Sequence, residues 1–349
     1  MHTDLPVLSA SVGEGPVTIV LHAHIDVVPG RPEQFSPWQE GGFLWGRGAY
    51  DMKGATAAML AVMSDLQELG SRLPVKVRLL VVPDEEADDD RDEWGTERLV
   101  ERGHLGDFVI CGEPTDMYVG VQAKGVLDLR VDVAGRSAHS ATPWLGTNAI
   151  LRAIDVYEEL LRLPFVGESS EFYERASVSL SRIAAGDRLN KVPDHCTMDI
   201  DIRHLPEQDI ERIRTEIATV RGCSIREIAR RPPIQVPTDN PYVELLLGAI
   251  DSASGRPVEC VGRDGTNDGF HFIERGIPSV EFGPVGSGHH GPEEKVEIES
   301  LRRYRAALRQ FIAEVCVRRD DLTGVTRIHG LDRHRDPDAT TGVATLRER

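Results

Sequence analysis

Two adjacent carboxylates, Glu85 and Glu86, stand where the apolar run Val75–Val82 gives way to polar sequence. Side by side at a strand terminus they repel, and each raises the other's pKa unless a cation intervenes. His24 and Asp26 lie two residues apart beyond another apolar run, Val17–Leu21, so on an extended strand both side chains point the same way. The carboxylate can then hold the imidazole in its metal-binding tautomer. A single strand histidine is more often a hydrogen-bonded structural residue, which is how His22 reads. Asp51 opens a helical stretch after Gly46-Arg47-Gly48, where an N-cap role is the plain alternative. Glu113, in Gly-Glu-Pro-Thr, follows the run Phe108–Cys111, and His290 lies in the glycine-rich loop Gly-His-His-Gly-Pro-Glu-Glu. The acidic run Asp88-Asp89-Asp90 with Asp92-Glu93 reads as a solvated loop.

None of these residues decides the matter alone. Together, five His, Asp or Glu residues fall at the carboxyl ends of strands, which a parallel α/β sheet gathers on one edge. Mixed imidazole and carboxylate donors suit zinc, with cobalt or manganese as alternatives, and the shortage of thiolates argues against copper(I) or iron–sulfur chemistry.

The elements that must position these residues alternate between strand and helix. After Asp51, apolar residues recur at Met52, Ala55, Met59, Val62, Leu66 and Leu69 before Gly70, a helical period closed by glycine. Strands at Val17–Leu21, Val75–Val82 and Phe108–Cys111 frame it, predicting an α/β layer with a mostly parallel sheet. From about residue 123 the pattern changes: Leu127, Leu129, Val131 and Val133 alternate with Asp128, Arg130 and Asp132, the mark of a strand with one wet face. A helix (Asn148–Leu163), strands near Ala176–Ile183 and Cys196–Arg203, a helix (Glu207–Val220) and a strand near Ser224–Ala229 complete a ferredoxin-like β-α-β-β-α-β insert. The α/β character resumes after Pro232-Pro233 and closes with a helix over Ile298–Val317. The expected organisation is thus a discontinuous domain, 1–122 and 233–318, an inserted domain, 123–232, and a disordered tail, 319–349.

Length and composition agree with two globular domains: 349 residues, 40% hydrophobic and 28% charged. A net charge of −17 argues against nucleic acid or an anionic membrane as main partner, since both need a basic footprint. The start shows no signal-peptide pattern and no stretch has the length of a membrane span, so the protein is expected to be cytoplasmic. Five scattered cysteines without CxxC spacing read as buried thiols.

An ordered series of motifs, HAHIDVVPG, WGRGAYDMKG, PDEEA, GEPT, GRSAHSATPWLGTNAI, NKVP, DIDIR, GTNDG and EFGP followed by HHGPEE, resembles that of the M20 metallopeptidases over roughly residues 17–318. That family includes deacylases, desuccinylases, aminoacylases and carboxypeptidases. The resemblance implies two divalent ions bridged by Asp51, one completed by His24 and Glu113, the other by Glu86 and His290. His290 is preferred to His289 because Glu294 then falls four residues later. Asp26 would orient His24, Glu85 would be the general base, and the peptide after Asp51 would be cis. In the insert, Asn190, Arg203 and Thr266 would meet a substrate carboxylate, and His139 would polarise the scissile carbonyl, reaching the partner's site in a homodimer that pairs through the inserted lid. Arg203 as a plain strand charge and Asn190 as a turn residue are the readings the residues alone favour.

The implied activity is amide hydrolysis of an N-acyl amino acid or short peptide with a free carboxylate. A deacetylase or desuccinylase comes first and a dipeptidase or carboxypeptidase second. A catalytically silent metal-binding assembly protein is the rival of another class, disfavoured because a structural site has no use for Glu85. Two features depart from the family pattern: only 23 residues precede His24, leaving the sheet edge in question, and PDEE stands where a small hydroxyl residue is common.

Overall fold

A computed structural model describes residues 5–87, 94–255 and 258–323. In chain order the strands and helices are β1 (Leu8–Val12), β2 (Thr18–His24), β3 (Trp38–Glu40), β4 (Phe43–Trp45), α1 (Gly54–Gln67), β5 (Lys76–Val82), α2 (Gly95–Glu101), β6 (Phe108–Cys111), β7 (Val119–Ala123) and β8 (Gly125–Ala134). Then come α3 (Ala149–Leu160), β9 (Ser177–Ala185), β10 (His195–His204), α4 (Ile210–Ile217), β11 (Ser224–Arg231), β12 (Ile234–Gln235), α5 (Pro241–Ser254) and β13 (Cys260–Arg263). The last are α6 (Phe270–Ile273), β14 (Ser279–Glu281), β15 (Gly286–Ser287), β16 (Lys295–Glu297) and α7 (Ile298–Leu322). The chain divides into two compact units. One takes the segments up to Val121, Val236–Val261 and from Asn267 onward; the other takes Gln122–Gln235 and Gly262–Thr266.

In the first unit the sheet runs β1-β5-β2-β6-β14-β7. Its centre, β5-β2-β6-β14, is parallel, while β1 lies antiparallel on β5 and β7 antiparallel on β14. The sheet is therefore mixed, with a parallel centre and antiparallel edges. Strand direction is set by how each connection returns the chain, which local residue patterning does not record. β1 also answers the question of the sheet edge: Leu8–Val12 forms the outermost strand beside β5, although LSASV carries no continuous apolar run.

β2 and β5 are buried on both faces after their first residue, which is why they read as unbroken apolar runs. One face carries Val20, Leu80, Val82 and Val109 against Leu99, Val100 and Phe272. On α7 the buried residues Tyr304, Ala307, Leu308, Phe311, Ile312 and Val315 recur at helical spacing, and Phe311 meets Phe108 with ring centroids 6.0 Å apart. This helix continues to Leu322, so the expected tail boundary at 319 cuts through it; the remainder of that tail, and the acidic run at 88–90 and 92–93, lie outside the described residues. A small second sheet, β15-β16-β4-β3, was not foreseen. Among the described residues no helix is long and apolar enough to cross a membrane.

The second unit holds an antiparallel sheet in the order β11-β8-β10-β9. Leu127, Leu129, Val131 and Val133 of β8 pack with Met198, Ile200 and Ile202 of β10 against Ala153, Val156 and Leu160 of α3 and Ile213 and Ile217 of α4. The opposite face carries the alternating charges, with Arg130 bound to Asp199 and Arg203 to Asp201.

Candidate metal centre

His24 ends β2, Glu85 and Glu86 follow β5, and Glu113 follows β6, so the parallel core delivers four candidate residues to one edge. Asp51 comes from the turn before α1, and His290 from the loop between β15 and β16. Asp51 caps nothing: its backbone is non-helical, α1 begins three residues later, and its carboxylate points into the cluster. The peptide after Asp51 is cis. Gly283 lies so close to Glu113 that a Cβ there would fall 2.1 Å from the Glu113 carbonyl oxygen, and its N–H donates to Thr115 Oγ1 at 2.9 Å, fixing the Gly-Glu-Pro-Thr turn.

Asp51 stands at the junction of two donor groups. Its Oδ1 is 3.2 Å from His24 Nε2, which in turn lies 3.9 Å from Glu113 Oε2. Its Oδ2 is 3.2 Å from His290 Nε2, which is 2.9 Å from Glu86 Oε1. Within each trio, and within a third formed by His24, Glu85 and Glu86, one donor atom per residue lies within 4.8 Å of the others. Asp26 holds the far side: its Oδ1 is 3.4 Å from His24 Nδ1, and its carboxylate accepts the backbone N–H groups of Glu85 at 3.3 Å and Glu86 at 2.8 Å. His289 belongs to none of these groups.

The electrostatics of the cluster call for a cation. Burial pushes Glu85 up to about 8, with Asp268, Glu86 and Asp51 adding to the rise against His24. Burial likewise lifts Glu86, and lifts Glu113 well above the carboxylate range. For His24, burial would lower the pKa, but hydrogen bonds to Asp26 and Asp51 prevail and hold it well above the usual value. His290 is raised to about 9, chiefly by its hydrogen bond to Asp51. Against burial, His24 and His290 keep Asp51 below its ordinary value. Glu113 Oε1 is buried with no protein partner. Four carboxylates converging on two imidazoles coexist when protons or divalent cations neutralise them, and this donor set fits zinc-type ions.

His22 keeps the structural role read from sequence. It is fully buried, burial lowers its pKa to about 3, and its Nε2 lies 2.8 Å from the Thr96 hydroxyl, which donates to Asp268 Oδ2 at 2.6 Å. Two residues that the sequence reading left without a structural role are Arg47 and Glu294. Glu294 accepts the N–H groups of Tyr50 and Asp51, and Arg47 donates to it at 2.7 Å. The clue was the position of Glu294 four residues after His290.

His139, Asn190, Arg203 and Thr266 all belong to the second unit, Thr266 through the short segment Gly262–Thr266 rather than with the resumed first unit. His139 is exposed; its Nδ1 accepts the Ala141 N–H at 3.0 Å, which leaves the proton of the neutral ring on Nε2. Asn190 is close by, its carbonyl accepting the Ser140 N–H at 3.1 Å. Arg203 grips Asp201, two residues earlier on β10, through Nε at 2.9 Å and Nη2 at 2.8 Å. Thr266 Oγ1 is buried without a hydrogen-bond partner.

Comparison with known proteins places the chain in a family. A model of peptidase family M20/M25/M40 matches residues 20–314. A succinyl-diaminopimelate desuccinylase of Gluconacetobacter diazotrophicus is 27% identical over 321 residues, 85% of this chain and 80% of the relative. One from Methylorubrum populi is 29% identical over 330 residues, covering 87% and 84%. Among solved structures, an aminopeptidase of Bacillus cereus superposes with a TM-score of 0.72 at 20% identity, covering 88% of this chain and 84% of its own. An M20 family metallo-carboxypeptidase of Sulfolobus solfataricus gives 0.72 at 18%, covering 89% and 88%. At those identities the solved structures speak for the fold alone.

Proposed function

Since the chain belongs to peptidase family M20/M25/M40 and is a metal-dependent amidohydrolase or peptidase, we propose that it removes the acyl group from an N-acyl amino acid, as a deacetylase or desuccinylase. The observation that carries the dinuclear part of this reading is Asp51, whose two oxygens each face a different histidine at 3.2 Å. In this reading His24 and Glu113 complete one site, Glu86 and His290 the other, and the ions are zinc, with cobalt or manganese as alternatives. When bound, they supply Lewis acidity that makes a water acidic at neutral pH and a carbonyl electrophilic.

Glu85 has no place among the six donors of the two trios joined by Asp51, yet it stands beside them in a setting that favours its protonated form. With cations bound to offset the neighbouring carboxylates, Glu85 would ionise; the carboxylate would then take a proton from the attacking water and return it to the departing amine, and its high proton affinity suits both transfers. Asp26 keeps His24 Nε2 turned toward Asp51 and anchors the backbone on which Glu85 rides. In the second unit, read here as a ferredoxin-like lid, His139 polarises the scissile carbonyl with a hydrogen bond from its Nε2–H, and Arg203, Asn190 and Thr266 receive a substrate carboxylate. Arg203 suits that task by its planar fork, although Asp201 already occupies part of it. His139 acts across a homodimer, so that each site draws on both chains.

The desuccinylase names of the two relatives favour an acyl amino acid over a dipeptide. Turnover of a panel of N-acetyl, N-succinyl and dipeptide substrates with added zinc or cobalt tests the reading. Hydrolysis confined to dipeptides would replace the deacylase with a dipeptidase, and no turnover of any member would overturn it.

A further inference from the structure

We infer that the buried Arg47–Glu294 pair is a positioning device that sets the spacing of Asp51 and His290, and that its tie to the Gly291 carbonyl tunes the affinity of the Asp51–Glu86–His290 group without touching the His24–Asp51–Glu113 group. The inference rests on the dinuclear reading above. Two regions far apart in sequence, 34–51 and 291–294, meet here. Glu294 Oε1 accepts the N–H of Tyr50 at 3.0 Å and of Asp51 at 3.1 Å, while Glu294 Oε2 takes Arg47 Nη1 at 2.7 Å. Arg47 spends its other arm on the Gly291 carbonyl, with Nη2 at 2.9 Å, and Gln34 Nε2 donates to the same oxygen at 3.0 Å. One guanidinium thus connects the backbone of Asp51, through Glu294, to the residue that follows His290.

His290 needs such a hold. Its φ is 59°, a left-handed conformation uncommon for a residue with a side chain, and that side chain is 53% exposed, so packing does little to place it. His24 is the opposite case: it is fully buried at the end of β2, which is paired with β5 on one side and β6 on the other. The Arg47 and Glu294 side chains are only 3% and 1% exposed, so the pair is rigid, and breaking it would strand a buried charge. Because Arg47 and Gln34 act at Gly291, their loss displaces His290 and leaves the His24–Asp51–Glu113 trio in place.

The test is titration of metal-free protein with Co2+, followed by calorimetry and by the visible spectrum. The wild type should take two ions. Arg47→Lys keeps the charge beside Glu294 but cannot also span to Gly291, and Gln34→Ala removes a single bond to that carbonyl. Each should weaken one ion by a factor on the order of 10–100 and leave the other unchanged. His290→Ala combined with Arg47→Lys should show no further loss over His290→Ala. Equal weakening of both ions, or of neither, overturns the inference; should Arg47→Lys fail to fold, Gln34→Ala decides alone. A wild type that takes a single ion would instead overturn the dinuclear reading.

Discussion

The two units hold most of their candidate residues in opposite ways, Thr266 of the second, with its buried and unpartnered hydroxyl, being the exception. In the first, His24, Asp51 and Glu113 are buried and crowded, with pKa values displaced from their ordinary ranges and one carboxylate oxygen left without a partner. In the second, His139 and Asn190 are exposed, and Arg203 has a carboxylate of its own chain in its grip. A crowded, uncompensated cluster is a place made to receive something. A satisfied or solvated residue has to meet its ligand in competition with water or a neighbour. The difference predicts that changes in the first unit alter metal content or chemistry, and that changes in the second leave the metal content as it is.

The largest expected effect is at Glu85. Glu85→Gln should lower turnover by a factor on the order of 10²–10⁴ with metal content unchanged, as measured by atomic absorption alongside kinetics. A lost ion would make Glu85 a ligand and shift the boundary between chemistry and binding within the first unit. His139→Ala should cost on the order of 10² in kcat while sparing the metal. Mixing it with Glu85→Gln should restore part of the activity, because one site of the heterodimer then receives both intact residues. No recovery in a verified heterodimer would confine His139 to its own chain.

How much of this was legible in sequence follows from where each residue's partners lie. His24, Glu85, Glu86 and Glu113 could be found because each closes a recognisable apolar run, and parallel strands collect their ends. Asp201 could have been found, since it sits two residues before Arg203 and so on the same face of the strand. Arg47 and Glu294 could not be paired from any period: 247 residues separate them, and only the folded chain brings them together. The antiparallel edges of the main sheet were hidden for the same reason, as strand direction depends on the whole connection. Thr266 belongs with the inserted unit because of its contacts, whereas its position in the chain suggested the resumed one.

Arg203→Ala should raise KM about tenfold or more for substrates with a free carboxylate and little for their amides. Asp201→Asn should lower KM for the same substrates if Asp201 competes for the guanidinium. An equal effect of Arg203→Ala on acids and amides would make Arg203 a structural residue and erase the contrast between the units. The smallest effect concerns pH. In metal-free protein Glu85 at about 8 and His290 at about 9, with Glu86, Glu113 and His24 also raised, hold protons that the unfolded chain releases at 4.5 for glutamate and 6.5 for histidine. The native state then binds more protons, so stability should fall as pH rises from about 6.5 to 8. Zinc should raise the melting temperature more at pH 8 than at pH 6.5. A melting temperature of the metal-free protein that is flat across this window would show that the cluster is compensated without a cation.

The chain leaves the first unit at Val121 and re-enters it at Val236, and the Val236 N–H donates to the Val121 carbonyl at 2.9 Å. Exit and return are thus neighbouring rungs of a single ladder. In genetic terms the stretch between them is a cassette: a short turn could replace it without moving either end. Histidines and carboxylates of the cluster all lie outside that cassette, so an engineered chain lacking it would retain every group named here as a metal ligand, and Thr266 with them, while losing His139, Asn190 and Arg203. Selectivity could then diverge by rewriting the cassette, with the hydrolytic groups inherited intact.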